Sequence, residues 1–212
     1  MRNTEYYKGR KVAVIGLARS GLACANLLYK LGASVRVTDS KQRDELASAI
    51  SQLASADIQV ECGCHTESFI AGSDMVVVSP GIPDSAAAVQ WAIKHGMPLY
   101  SEIEIAWSVC PCPVIAVTGA NGKTTTTTLM GQALCAAGMH AVVCGNIGNP
   151  FCGEVEHLTP QDYIVLEVSS FQLEKIRSFK PFIAIVTNCN PNHLDRYRDM
   201  NEYVRAKKRI FL

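Results

Sequence analysis

Residues 114–125 read VIAVTGANGKTT, and residue types in that order suit the holding of phosphate. A short apolar run enters a glycine turn, and Lys123 and a string of threonines then open a helical stretch. Backbone N–H groups at a helix start converge on an anion, glycine lets them approach, and the lysine neutralises terminal phosphates. The Thr124 hydroxyl is placed to join the shell of a magnesium ion. Gly119, Ala120, Asn121, Gly122, Lys123, Thr124 and Thr125 are therefore the candidate nucleotide-binding residues. The usual loop spaces its glycines as G-x-x-x-x-G, whereas Gly119 and Gly122 enclose two residues and Val117 stands at the earlier glycine position. The competing reading is a plain strand-to-helix turn. The Gly-Lys-Thr-Thr core in a strand–loop–helix setting favours a nucleotide.

A second glycine turn, Gly16-Leu-Ala-Arg-Ser-Gly21, follows the first apolar run, with Asp39 23 residues beyond Gly16. That is where a ribose-binding acid sits in dinucleotide folds, but Ala18 replaces the middle glycine whose missing Cβ admits a pyrophosphate. NAD is disfavoured; a mononucleotide site and a purely packing role both stay open. Glu167 ends the apolar run YIVLEV and precedes Ser169-Ser-Phe-Gln172. It would meet the phosphate loop if the two strands are neighbours, binding magnesium there, or it is simply solvated. Asn188-Cys-Asn-Pro-Asn-His193-Leu-Asp195-Arg196 follows the next run in the same manner.

These residues need a scaffold that brings strand ends together. Strand-like runs at 11–16, 34–39, 57–61, 74–79 and 98–101 alternate with helical stretches at 21–31, 43–54 and 86–95. After two prolines near 109–113 the alternation resumes, with strands at 114–118, 141–145, 163–168 and 182–188 and helices at 123–137 and 201–212. This pattern predicts α/β architecture with parallel sheets. It divides into a Rossmann-like domain over 1–108 and the opening part of a P-loop ATPase-type domain over 109–212.

The 212 residues suffice for two such units. A net charge of +1, from 20 basic and 19 acidic residues, argues against a nucleic-acid partner. No apolar run approaches a membrane span and the N-terminus lacks a leader's apolar stretch, so a cytoplasmic protein is expected. Nine scattered cysteines then read as reduced thiols. Cys62-Gly-Cys64-His65 and Cys110-Pro-Cys112 lack zinc-ligand spacing.

The ordered motifs GLARSG, TGANGKTTTT, GNIG, LEVSSFQLE and NHLDRY, spread over the whole chain, resemble the Mur ligases of bacterial cell-wall synthesis. The GLxxSG element and the stretch from Glu167 to Glu174 are similar to the members that add D-glutamate. The resemblance implies an ATP- and Mg2+-dependent amide ligase of peptidoglycan precursor synthesis, joining D-glutamate to UDP-N-acetylmuramoyl-L-alanine through an acyl phosphate. It implies catalytic roles for Lys123, His193 and Lys207. Thr124 and Glu167 match ligands of a first magnesium, and His193 and Lys207 match a second metal site, the lysine as a carbamate. Arg19 and Ser20 match positions contacting the UDP pyrophosphate, Asp39, Ser40 and Lys41 the uridine side, and Gly81 the closure of that pocket. Asn146, Ser169 and Gln172 match substrate-side positions.

Composition alone reads Lys207 as a surface lysine of a basic helix. Two residues depart from the family pattern: Ala18 stands for glycine, and Asn192 stands where relatives often have aspartate. Family members are about twice as long, with a third domain, so the chain is expected to be a fragment, inactive alone, of a monomeric enzyme. Alternative readings are another Mur ligase, a folylpolyglutamate-synthase-like ligase, or a non-catalytic nucleotide-binding module.

Overall fold

A computed structural model describes residues 4–191 and 196–212. In the first half the elements are β1 (Lys11–Ile15), α1 (Arg19–Lys30), β2 (Ser34–Asp39), α2 (Arg43–Ser51), β3 (Gln59–Cys62) and α3 (Glu67–Ile70). They are followed by β4 (Met75–Val78), α4 (Ala87–Lys94), β5 (Leu99–Tyr100) and α5 (Glu102–Val109). The second half holds β6 (Val114–Thr118), α6 (Lys123–Ala136), β7 (Ala141–Gly145), α7 (Phe151–Glu154), β8 (Tyr163–Glu167), α8 (Ser170–Leu173), β9 (Ile183–Val186) and α9 (Met200–Lys208). The expected parallel α/β architecture is present. One five-stranded sheet runs β3-β2-β1-β4-β5 and one four-stranded sheet runs β7-β8-β6-β9, with every pairing parallel. Among the described residues no helix is long and apolar enough to cross a membrane.

Strand periodicity sorts the core. Val12 and Val14 face α1, while Ala13 and Ile15 join Val76 and Val78 under Ala88, Val89 and Ala92 of α4. The larger cluster is continuous between the sheets, taking in Leu28 of α1, Ile103 of α5, Phe151 of α7 and Leu166 of β8. Parallel sheets need cover on both faces, and α1, α5 and α7 supply it where the sheets meet.

Most boundaries shift by a residue or two from the sequence reading, and three of the shifts have a visible cause or consequence. Helix α2 stops at Ser51 rather than 54, and β9 ends at Val186 because Thr187 and Asn188 turn toward the phosphate loop. The last helix starts at Met200, since Asp199 caps it by accepting the Glu202 amide at 2.8 Å, and it tightens to a 3-10 turn over Arg209–Phe211. Helix α5 was not expected at all. Its sequence, Glu-Ile-Glu-Ile, alternates like a strand, yet Ser101 caps it and most of its residues are buried.

Helix α5 carries the tie between the halves. Glu104, 4% exposed, accepts the backbone N–H groups of Arg177 at 2.9 Å, Ser178 at 2.8 Å and Phe179 at 3.0 Å, and the Ser178 hydroxyl as well. A buried carboxylate is tolerable only when its lone pairs are filled in this way. Glu104→Ala strands those donors in the interior, so it should lower stability by about 3 kcal/mol. A urea midpoint unchanged in that variant would show that the tie carries no load.

Candidate active site

The phosphate loop leaves β6 and enters α6 through two glycines with positive φ, Gly119 at 152° and Gly122 at 79°. A Cβ on Gly119 would lie 1.9 Å from Thr187 Oγ1, so no other residue fits beneath β9. The strand after the loop grips it. Asn188 accepts the Ala120 amide through its carbonyl and the Asn121 amide through Oδ1, each at 3.0 Å, while its Nδ2 and the Thr187 hydroxyl donate to Asn121 O. What the loop offers an anion is therefore the N-terminal turn of α6, whose first amides have no partner within the helix. Lys123 Nζ donates to Ala120 O at 3.0 Å, which holds the ammonium over that turn.

Glu167 sits where the sequence reading requires it. Strands β8 and β6 are neighbours, with Val117 opposite Glu167. The carboxylate is 1% exposed. Its Oε2 accepts the Thr124 hydroxyl at 2.8 Å and its Oε1 accepts Asn146 Nδ2 at 2.8 Å. Thr124 and Glu167 are hard oxygen donors of the kind magnesium takes beside phosphates and water, so the pair fits that ion. Among the described residues no group of three or more His, Cys, Asp or Glu is gathered as a ready-made metal cage. His193 lies outside the described residues.

Lys207 is not a surface residue. It is 2% exposed, and its Nζ donates to Gly119 O at 2.9 Å and to Thr118 Oγ1 at 3.4 Å. Burial, with the Lys123 charge nearby, pulls its pKa down to about 8. The basic pattern of α9 misled because Tyr203, Ala206 and Lys207 form the face turned inward, with the ammonium 4.6 Å from the Tyr203 ring centre.

Across the seam lies a cleft of about 450 Å³. It gathers Arg19, Ser20, Asp39, Ser40, Lys41 and Gly81 from the first sheet with Asn146 and Gln172 from the second. Asp39 folds its rim, accepting the Leu17 amide at 2.7 Å and the Lys41 amide at 2.9 Å. Gly21 must be glycine, since a Cβ there would stand 1.9 Å from Gly16 O. Ala18 is the N-cap residue of α1 and also lines the cleft. Arg19 reaches over the seam to Gly148 O at 3.1 Å. Asn146 belongs to both regions, lining the cleft while holding Glu167.

Ser169 is the N-cap residue of α8, in a reciprocal box with Gln172. Gln172 Oε1 accepts both the Ser169 amide and hydroxyl, which turns Nε2 toward Glu102 Oε1 at 3.1 Å. Glu102, Thr187 and Ser79, whose hydroxyl donates to Gly16 O at 3.1 Å, were not singled out in the sequence. Glu102 is buried, its Oε2 has no hydrogen-bond partner among the described residues, and burial pushes its carboxyl up to about 7.

Residues 10–101 match the Mur ligase MurD-like, N-terminal domain, and residues 117–212 match the Mur ligase middle domain. The chain is 44% identical over 202 residues to a UDP-N-acetylmuramoylalanine–D-glutamate ligase of Pelotomaculum thermopropionicum, covering 95% of this chain and 44% of that one. It is equally identical, 44% over 204 residues, to the ligase of that name from Geotalea daltonii, covering 96% of this chain and 45% of the other. It thus spans less than half the length of these curated relatives. The fold also matches solved structures at low identity. One is the UDP-N-acetylmuramate:L-alanyl-gamma-D-glutamyl-meso-diaminopimelate ligase of Neisseria meningitides, with a TM-score of 0.59, 16% identity, and 95% and 67% of the two chains covered. Another is the UDP-N-acetylmuramate-alanine ligase of Thermotoga maritima, with a TM-score of 0.58, 21% identity, and 95% and 46% covered. The chain belongs to the Mur ligase family.

Glu102 makes stability depend on pH. Its folded pKa lies above that of the unfolded chain, so its contribution is whole below pH 4.5 and is lost as pH rises through about 7. The loss is about 3 kcal/mol. Glu102→Gln should therefore gain on the parent by about that amount between pH 5 and pH 8 in urea titrations. A constant difference at the two pH values would remove Glu102 from the linkage.

Proposed function

We propose that this chain carries the UDP-substrate and ATP sites of an ATP-dependent ligase that adds D-glutamate to UDP-N-acetylmuramoyl-L-alanine in peptidoglycan precursor synthesis. The observation that carries this reading is Asn146. One side chain holds the carboxylate beside the phosphate loop and also lines the cleft that collects the first-sheet residues. A γ-phosphate on the loop and a carboxylate presented from the cleft would then meet at the seam. The relatives' printed names and the match of residues 10–101 to the MurD-like domain support D-glutamate over other amino acids. The division falls between residues 108 and 109.

The chemistry is two displacements. The substrate carboxylate takes the γ-phosphoryl group and ADP leaves; the D-glutamate amine then attacks the acyl carbon, losing a proton as phosphate departs. Phosphoryl transfer asks for positioning and charge neutralisation rather than covalent help from the protein. Gly119, Ala120, Asn121 and Gly122 shape the loop, with the Ala120 and Asn121 amides held by Asn188, and the amides of the first helical turn, Thr125 among them, face the phosphates. Lys123 carries the charge that meets the terminal phosphates. Magnesium would be held by Thr124 and Glu167, and it supplies charge neutralisation of the phosphates. A second ion is assigned to His193 and Lys207, the lysine first gaining a carbamate: its free amine bonds to CO2 and releases a proton. Its burial beside Gly119 supports that role.

Arg19 and Ser20 are assigned to the pyrophosphate, and Asp39, Ser40, Lys41 and Gly81 to the uridine end. Gln172 lines the other side, and Ser169, which does not line the cleft, is assigned to the substrate side through its hold on Gln172. Because Ala18 keeps its Cβ where dinucleotide folds need none, the cleft should bind UDP more tightly than NAD, as isothermal titration can establish. The reverse order of affinity would overturn the assignment. In the full-length enzyme, Lys123→Ala should remove most ATP-dependent phosphate release in the presence of both substrates while thermal melting stays near that of the unsubstituted protein. Unchanged phosphate release would sink the loop's role.

A further inference from the structure

The turn after β4 brings Gly81 to the wall of the substrate cleft, and a side chain from the opposite half holds that turn. Arg196 Nη1 donates to Pro80 O at 2.9 Å, and Nη2 donates to Ile82 O at 3.4 Å and to Glu174 Oε2 at 3.1 Å. The two carbonyls flank Gly81, where an added Cβ would meet nothing within 4 Å. That glycine therefore borders open space while its neighbours are pinned from behind.

The guanidinium is itself fixed on several sides. It lies 4.1 Å from the centre of the Phe171 ring, and its carboxylate partner is steadied by the Tyr197 hydroxyl, which donates to Glu174 Oε1 at 2.6 Å. Tyr197 in turn stacks on Phe171, with ring centres 5.8 Å apart and planes at 20°. An exposed ion pair would count for little, but here both charged groups are about four-fifths buried. The neighbouring carbonyls also demand a planar fork, which arginine has and lysine lacks.

We infer that Arg196 is a positioning residue for the substrate cleft: from the nucleotide-binding half it holds the 80–82 turn of the other half, and so sets the wall against which a uridine diphosphate nucleotide is bound. The inference rests on the reading of the cleft as the UDP site. Arg196 itself does not line that cleft. Its effect should fall on UDP-substrate binding and leave ATP binding alone, since no phosphate-loop residue is among its partners.

The test uses Arg196→Lys and Glu174→Gln, with amide hydrogen exchange beside titrations of UDP and of ATP. Arg196→Lys should speed exchange at the Ser79, Gly81 and Ile82 amides of the 79–83 stretch and weaken UDP binding roughly tenfold, with ATP affinity within about twofold of the parent. Glu174→Gln, which keeps the fork and weakens its anchor, should shift both readouts the same way by a smaller factor. Exchange at 79–83 that does not change in either variant overturns the inference. So does faster exchange with UDP affinity intact, because the turn would then not shape the site. A lowered melting temperature with UDP and ATP weakened equally would mark a structural role only, and also overturns it. If the unmodified protein fails to bind UDP, the reading of the cleft falls, and the exchange data still decide whether Arg196 holds the turn.

Discussion

A carboxylate that is almost wholly excluded from water needs donors, and at Glu167 that need organises the nucleotide end of the molecule. The donors are the Thr124 hydroxyl, from the first turn after β6, and the Asn146 amide, from the turn after β7. Both turns reach Glu167 only because β8 lies between β7 and β6 and all three strands run in parallel. Strand order thus converts three distant stretches of chain into one polar cluster. It is a local instance of the rule that open parallel sheets present their chemistry outside the carboxyl ends of the strands. Desolvation makes the arrangement stringent: a missing donor leaves a charge in the interior.

The same logic joins the two sheets. Helix α5 carries two buried glutamates that lie two residues apart and do different work. Glu104 is fully supplied, by main-chain amides and a hydroxyl, and acts as a tie. Glu102 is half supplied: Gln172 serves one oxygen, and the other has no hydrogen-bond partner among the described residues. Burial accounts for the raised pKa of Glu102, since it favours the protonated form unless hydrogen bonds to the anion offset it. Gln172 links this interior to the cleft wall, because its orientation is set jointly by the Ser169 cap and by Glu102. Helix capping, sheet docking and the shape of a binding surface therefore share one amide.

Much of this was legible in the residues. Every strand lay within a few positions of its expected place, because apolar runs bounded by turn residues are a strong local signal. The glycines at 119 and 122 announced the loop, and the strand-end position of Glu167 announced its neighbour. What stayed hidden was tertiary. Helix α5 alternates Glu and Ile because it is enclosed on all sides, so no one-faced pattern marks it. Lys207 sits in a run of basic residues, and only the approach of α9 to Gly119 reveals that it is buried. The grip of Asn188 on the loop depends on β9 pairing with β6, a register that no spacing in the sequence encodes.

The tie at Glu104 has an asymmetric character. On one side a single carboxylate does all the accepting; on the other, most of the donors belong to the main chain at residues 177–179. Backbone amides are supplied by every amino acid except proline. As far as these hydrogen bonds go, Arg177 can therefore drift in side-chain identity, short of proline, whereas Phe179 is fixed separately by its burial in the core against Trp107. Position 104 has no comparable latitude, since aspartate is one methylene too short and glutamine brings an amide NH2, itself a donor, to a nest of donors. A library of variants spanning both sides would be lopsided, with tolerance at position 177 and intolerance at position 104. At this joint the docking of the two sheets is thus written into one side chain and, for the most part, into the common backbone.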